Sequence, residues 1–386
     1  MKIVRLKFPG NYEDAYVYMG WLNIVTCNRE LQCINLDYVA RDIDAGDNSE
    51  RPVATFAFAR NDWLSSESTR ELLKNPGVHR EFFNAFDHFP RDYEVSLKKG
   101  QYSQFHHIPI KSSVMLDLMF YNHRLYIGGN DGLFHIDIDW ELMDVGQLSE
   151  KRHDYRCGNL SAKFGMINSS CGGEGLHACF DDFHIYDTGS KERKFRKIAD
   201  KSVRTSWVDS GIANYASNSN VDLYQTTRSK VSKSVEGDKQ LATDVSGSGA
   251  GLGYFIKETL RQHDVVENSI QYYFNNNRFF FVHTYDGKFY CFETRKNPKG
   301  DINIFFTRTQ KAEQSRILSA HPVKEGLIIE TDDRVFLFSE DRWWTIFEGP
   351  VISVRTFRKS KRFQNLVAIT HEEGVEVISI IDENSF

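Results

Sequence analysis

RLYIGGNDGLFHID, residues 124–137, consists of two short apolar runs hinged on Gly-Asn-Asp-Gly. A strand buried on one face alternates apolar and polar residues, and an Asx-Gly corner supplies the positive φ that a tight hairpin needs. Leu125, Tyr126 and Ile127 form one arm; Leu133, Phe134, Ile136 and Ile138 line the other. Each arm is too short to be stable alone in water, so the hairpin belongs to a larger sheet.

The pattern recurs. RFFFVHTYDGKFYCFET (278–294), GLIIETDDRVFLFSED (326–341), NLVAITHEEGVEVISIID (365–382) and WLNIVTCNRELQCINLD (21–37) each turn on a polar corner, and weaker copies occupy 164–180 and 211–227. The corners fall near 28, 131, 173, 218, 286, 332 and 373, and most gaps are about 40–46 residues, the length of one four-stranded propeller blade. A third apolar run precedes most copies, as in VMLDLMF (114–120), SIQYYF (269–274), RILSAH (316–321) and VISVRTF (351–357), and reads as the innermost strand of each blade. VATFAFA (53–59) and INIFFTR (302–308) read as outer strands.

The two chain ends complete the pattern. MKIVRLKF alternates but has no hairpin partner of its own, while the last hairpin lacks a fourth strand. Pairing residues 2–8 against 375–381 closes the last blade and removes two open sheet edges. The expectation is therefore an all-β, seven-bladed β-propeller of four-stranded antiparallel blades occupying 1–386 as a single domain, closed by its N-terminal strand. In blade length and hairpin pattern the chain resembles the WD40-like and kelch-like propellers. It carries no Gly-His…Trp-Asp signature, so the resemblance implies an architecture and a class of interaction domains.

Composition agrees with this reading. The 386 residues include 29 Phe and 17 Tyr, are 40% hydrophobic and 26% charged, and carry a formal net charge of −5. That balance asks for neither nucleic acid nor an anionic membrane. The first residues lack an apolar core and cleavage site, and no run approaches 18 consecutive apolar residues, so neither a secretory signal nor a membrane span is expected. Six cysteines without a C-x-x-C spacing read as buried free thiols in a reducing cytoplasm.

Two stretches depart from the repeat. Residues 61–112 read as a helical insertion between the first two blades: Ser68-Thr69-Arg70-Glu71 matches a capping box, Asn75-Pro76-Gly77 is a stop, and Phe82, Phe83, Phe86 and Phe89 recur at helical spacing. These phenylalanines either pack on the propeller rim or dock a partner. Residues 228–268 are Ser/Gly-rich and read as a mobile loop or lid, with helical turns in YFIKETLRQ.

No catalytic motif emerges, and no cofactor or metal is expected. GSGAGLG (247–253) lacks the Lys-Ser/Thr of a phosphate loop. His106-His107 reads as a pair of loop histidines, and His135, His177, His184 and His283 lie in blade strands. Carboxylate pairs such as Asp137/Asp139 read as turn and strand-end acids. KERKFRK (191–197) and RTFRKSKR (355–362) concentrate cations beside an aromatic ring, as a nucleic-acid contact would.

The favoured reading is a non-catalytic cytoplasmic scaffold or complex subunit that binds another protein through propeller loops. Phe82, Phe83, Phe86, Arg204, Arg358, Lys359, Lys361 and Arg362 are its candidate contact residues. The alternatives are an enzyme or ligand-binding propeller, with Arg204, Asp209 and Asp117 facing a channel mouth, and a nucleic-acid-associated subunit using the basic loops.

Overall fold

All seven corners are hairpins. Arg124–Gly129 pairs with Gly132–Asp139 about Asn130-Asp131, Gly129 facing Gly132, and the other six copies turn where the sequence places them. The sheets they centre make the chain a seven-bladed β-propeller of antiparallel blades. The computed structural model describes residues 1–47, 52–90, 92–96, 103–108, 114–139, 144–146, 150–180, 195–208, 211–218, 220–231, 240–246, 251–296, 302–312 and 315–385. The chain divides into two compact units, one of Met1–Ile108, Trp140–Asp144 and Ile317–Phe386, the other of Pro109–Asp139 and Val145–Arg316.

The first unit holds blades one, six and seven. Blade one is Tyr12–Tyr18, Trp21–Thr26, Glu30–Asn35 and Ser103–His107; blade six is Ile317–Val323, Gly326–Thr331, Arg334–Ser339 and Arg342–Glu348. Blade seven is Ser353–Thr356, Leu366–His371, Gly374–Ile381 and the N-terminal strand Lys2–Pro9, with Tyr93–Glu94 added in parallel. The closing strand pairs along its whole length, from Lys2 opposite Ile381 to Pro9 opposite Gly374. Alternation gives it two faces: Val4, Leu6 and Phe8 are buried on one, while Arg5 and Lys7 reach Glu376 at 3.1 and 3.6 Å from the other.

A helical layer covers the apolar face. It comprises α1 (Leu36–Asp47), a π-helical turn (Thr55–Ala59), a 3₁₀ turn (Asn61–Ser65), α2 (Glu67–Leu73) and α3 (Pro76–His88). Leu36, Val39, Ala40 and Ile43 of α1, Leu73 of α2, and Phe83 and Phe86 of α3 share one core with Val4, Leu6, Phe8, Leu366, Ala368 and Val377. The i, i+3, i+4, i+7 spacing on α1 puts its apolar stripe on the sheets.

Residues 53–59 correct the outer-strand expectation. VATFAFA is apolar at nearly every position, so its period is ambiguous in sequence. The carboxylate of Asp44, on α1, settles it by accepting the Ala54 and Thr55 N–H groups, both at 2.9 Å, which caps a helical start. The outer strand of blade one is instead Ser103–His107, so His106 and His107 lie on a strand and not in a loop. The α2 cap is Ser66, whose Oγ accepts Thr69 N–H at 3.2 Å, two residues before the expected box. Asn75-Pro76 both stops α2 and starts α3: Asn75 Oδ1 accepts Gly77 N–H at 2.9 Å, with Pro76 in the first turn.

The second unit holds blades two to five. Their strands are Met115–Tyr121, Arg124–Gly129, Gly132–Asp139 and Glu150–His153; Asn159–Lys163, Met166–Ser170, Leu176–Phe180 and Phe195–Ala199; Arg204–Val208, Gly211–Ser217, Asn220–Val231 and Gln240–Ser246; and Ile270–Asn276, Phe279–Thr284, Lys288–Lys296 and Ile302–Lys311. The stretch 228–268, read from sequence as a loop or lid, contributes the outer strand of blade four, Gln240 opposite Val231 through Ser246 opposite Gln225. Helix α4 (Gly251–Gln262) follows, with Leu252, Ile256 and Leu260 packed on Tyr215, Val221 and Tyr273. The remainder of that stretch, 232–239 and 247–250, lies outside the described residues.

Polar side chains tie neighbouring blades inside this unit. Asp117 sits at a bulge of its innermost strand and accepts Leu118 N–H at 2.9 Å and Leu160 N–H at 2.6 Å. Asn159 Oδ1 then accepts Thr205 N–H at 2.8 Å, so blades two, three and four are linked in sequence. Tyr121 Oη accepts Gly165 N–H at 2.7 Å beside this line.

Candidate functional site

The candidate contact residues separate into internal and surface positions. Phe83 and Phe86 are 3% and 4% exposed and belong to the core beneath α3. Phe82 lies half-buried on the flank of the same helix, 5.2 Å from the Phe83 ring and 5.4 Å from Phe86. On its other side the Phe56 ring meets it edge-on at 5.2 Å and 90°. Trp63, 45% exposed, continues the row 5.9 Å from Phe56, with the Arg60 guanidinium over its ring at 5.5 Å. Aromatic rings therefore run from the core to the surface.

Beside this row lies a groove of about 480 Å³, lined by Pro52, Val53, Phe56, Gly77, Val78, Glu81, Phe82, Ala85 and Phe86. Its walls are α3 and the start of the π-helical turn. Val78 stands 43% exposed at its edge, and Glu81 is the one charged side chain among these lining residues. The volume falls in the range of pockets that hold ligands. An apolar wall with a single carboxylate can seat an apolar side chain and pair with one cation; it holds no nucleophile or acid–base pair. Phe56 and Val78 are not legible as site residues in the sequence because the groove they line is assembled from separate elements.

Arg362 is engaged within the fold and only partly exposed. It donates to the Ala59 carbonyl at 2.5 Å and to Asp37, so it fastens the blade-seven loop to α1 and the π-helical turn. Gly20, at φ +92°, opens the space for it: a Cβ there would come within 3.2 Å of Arg362 Nη1. Gly20→Ala is expected to cost about 1–3 kcal/mol in a urea melt, through backbone strain and displacement of that guanidinium. A loss below about 0.5 kcal/mol would show the clamp to be slack. Arg358, Lys359 and Lys361 are exposed in the turn before it, and the other basic cluster lies outside the described residues from 191 to 194.

The residues held for a catalytic reading serve the blades. Asp117 bridges blades two and three, as described above; Asp209 and His184 lie outside the described residues. His135 meets Arg152 at 3.1 Å, His177 meets the Glu174 carbonyl at 3.0 Å, and His283 meets Gln271 at 2.5 Å. Each finds a partner close by in its own blade. No three His, Cys, Asp or Glu side chains among the described residues form a metal-ligand group. All six cysteines are free, and only Cys27 is exposed. No helix among the described residues is long and apolar enough to cross a membrane.

His153 is expected to make stability depend on pH. Its Nε2 lies 2.9 Å from Ser169 Oγ, and burial, reinforced by His177, pushes its pKa down to about 4. The unfolded chain takes up a proton near pH 6.5 that the folded state refuses, so this contribution is complete above pH 6.5 and is lost as pH falls towards 4. His135 and His177 shift in the same direction through burial. His153→Gln is expected to remove up to about 3 kcal/mol of the stability difference between pH 7 and pH 4, read from urea midpoints. An unchanged difference would assign the effect to other groups.

No known protein family matches this sequence, and no curated protein does. Solved structures do align with it. A chain from the crystal structure of the mitotic checkpoint complex covers 98% of this chain and 91% of its own at 10% identity, with a TM-score of 0.49. The computationally designed Ika8 protein covers 97% and 99% at 9% identity, with a TM-score of 0.45. The Cps50 (Swd1) β-propeller domain of Myceliophteria thermophila covers 67% and 80% at 12% identity, with a TM-score of 0.39. At such identities and scores nothing of their roles carries over, and the propeller assignment rests on the strand pairings.

Proposed function

We propose that this protein is a non-catalytic interaction module that docks another protein through the groove beside α3. The observation that carries this reading is the aromatic row running past an apolar groove lined by Phe56, Val78 and Phe82. Binding energy at protein interfaces concentrates in aromatic and apolar anchors seated in such pockets, surrounded by contacts that exclude water. The occupant that fits is a short segment of a partner with one bulky apolar side chain and an adjacent Lys or Arg to meet Glu81. Asp117, held by N–H groups of its own strand and of the innermost strand of blade three, contributes no free carboxylate for an enzymatic alternative.

The test compares partners purified with the tagged wild-type chain and with Val78→Asp. Val78 is exposed enough that the fold should lose less than about 0.5 kcal/mol. A charge at the groove edge is expected to weaken the partner about 30-fold, equivalent to about 2 kcal/mol, and Glu81→Lys should weaken a partner segment bearing a cation. The lost protein should cross-link to a photoreactive residue placed at 78. A partner retained by both variants, or cross-linked only through the 358–361 turn, would move the docking surface elsewhere.

A further inference from the structure

Arg204 opens the innermost strand of blade four and differs in its partners from four other arginines of the described residues. Arg5, Arg124, Arg355 and Arg362 are all half-buried or more, and each meets a carboxylate: Glu376, Asp137, Asp14 and Asp37. No acid pairs with Arg204 among the described residues. Its guanidinium carbon instead lies 4.3 Å from the centroid of the Tyr215 ring and 4.3 Å from that of Tyr272, so tyrosines flank it from blades four and five. One Nη2–H group donates to the Tyr273 carbonyl.

The two tyrosines hold the group by its charge and its surfaces. Tyr215 is itself fixed, donating its hydroxyl to Asn275 Oδ1 at 2.5 Å, and Ser206 donates to the same oxygen. Both hydroxyl protons are thus committed to Asn275 on blade five. Among the described residues, four of the five guanidinium N–H groups have no acceptor. Burial also lowers the pKa of Arg204 below the usual arginine value, in keeping with a cation that lacks an anion.

A planar guanidinium with most of its N–H groups uncommitted matches the two oxygens of a phosphate or carboxylate. We propose that the uncommitted N–H groups of Arg204, flanked by Tyr215 and Tyr272, form a binding site for an oxyanion group of a ligand. The ring contacts and the Tyr273 carbonyl pre-orient the fork, so little side-chain freedom remains to be lost on binding. This proposal does not rest on the α3 groove.

The probes are inorganic phosphate and acetate, each titrated into the full chain at constant ionic strength with chloride as the balancing salt. The readouts are the melting temperature and the Nε–H NMR resonance of Arg204. Saturable changes with phosphate, acetate or both are expected, and the stronger anion identifies the ligand class. Arg204→Lys keeps the charge but loses the fork, and should weaken the thermal response about tenfold. Identical responses to all three salts in the wild-type chain, or an undiminished phosphate response in Arg204→Lys, would overturn the assignment. The wild-type resonance alone decides the matter if the variant fails to fold.

Discussion

Phe8→Ala is expected to destabilise the protein by about 3–5 kcal/mol, read as a lower urea midpoint with an unchanged slope. Phe8 is fully buried, and its strand is at once the fourth strand of blade seven and the floor of the helical layer. Truncation leaves a void that rigid neighbours on both sides cannot fill, because the sheet fixes one wall and the helical layer sharing its core the other. The backbone is equally constrained: at Gly374, φ +154°, a Cβ would stand 2.3 Å from the Phe8 carbonyl oxygen. Lys7→Ala is the control. It removes a half-exposed member of the Glu376 ion pairs and should cost no more than about 1 kcal/mol. Equal losses from the two substitutions would mean that the N-terminal strand is not part of the core.

Asp14→Ala is expected to cost about 3 kcal/mol, more than any single exposed ion pair of this chain. Asp14 stands at a bulge of the innermost strand of blade one and is 8% exposed. Its Oδ1 accepts Ala15 N–H at 2.9 Å and the Ser353 hydroxyl at 2.7 Å, and Arg355 donates to it at 3.2 Å and to Oδ2 at 2.6 Å. Removal deprives the Arg355 guanidinium of its anion and strips an acceptor from the seam between blades one and seven. Arg355 remains partly open to water, which places the loss at the low end for a broken buried pair. A double-mutant cycle between Asp14→Ala and Arg355→Ala should return a coupling of about 1–3 kcal/mol. The same cycle on Lys74 and Glu71, an exposed pair on α2, should return less than about 0.5 kcal/mol. Similar couplings for the two pairs would show that the seam is not held by this contact.

The hairpins and the helices differed in how openly the chain announces them. Asn130-Asp131-Gly132 and Asp286-Gly287 mark corners because the positive φ they need is a local demand, met by local residues. The pairing of residues 2–9 with 374–381 was legible for a related reason: two unpaired alternating runs had no other partner. Among the candidate contacts, Phe83 and Phe86 showed their helical spacing but not whether they faced a core or a partner. Arg362 looked like its neighbours Arg358 and Lys359, yet its acceptors, Ala59 and Asp37, are some 300 residues away in sequence.

Sequence by itself determined the number of blades, their central hairpins and the way the chain ends join, because turn chemistry and period-two burial are written within a few residues. Tertiary structure alone decided that 53–59 is helical, that 240–246 is a strand, and that Phe56, Val78 and Phe82 border one groove. Those outcomes depend on partners such as Asp44 and the Asn220–Val231 strand, and a uniformly apolar or uniformly polar stretch carries no period from which its facing could be read.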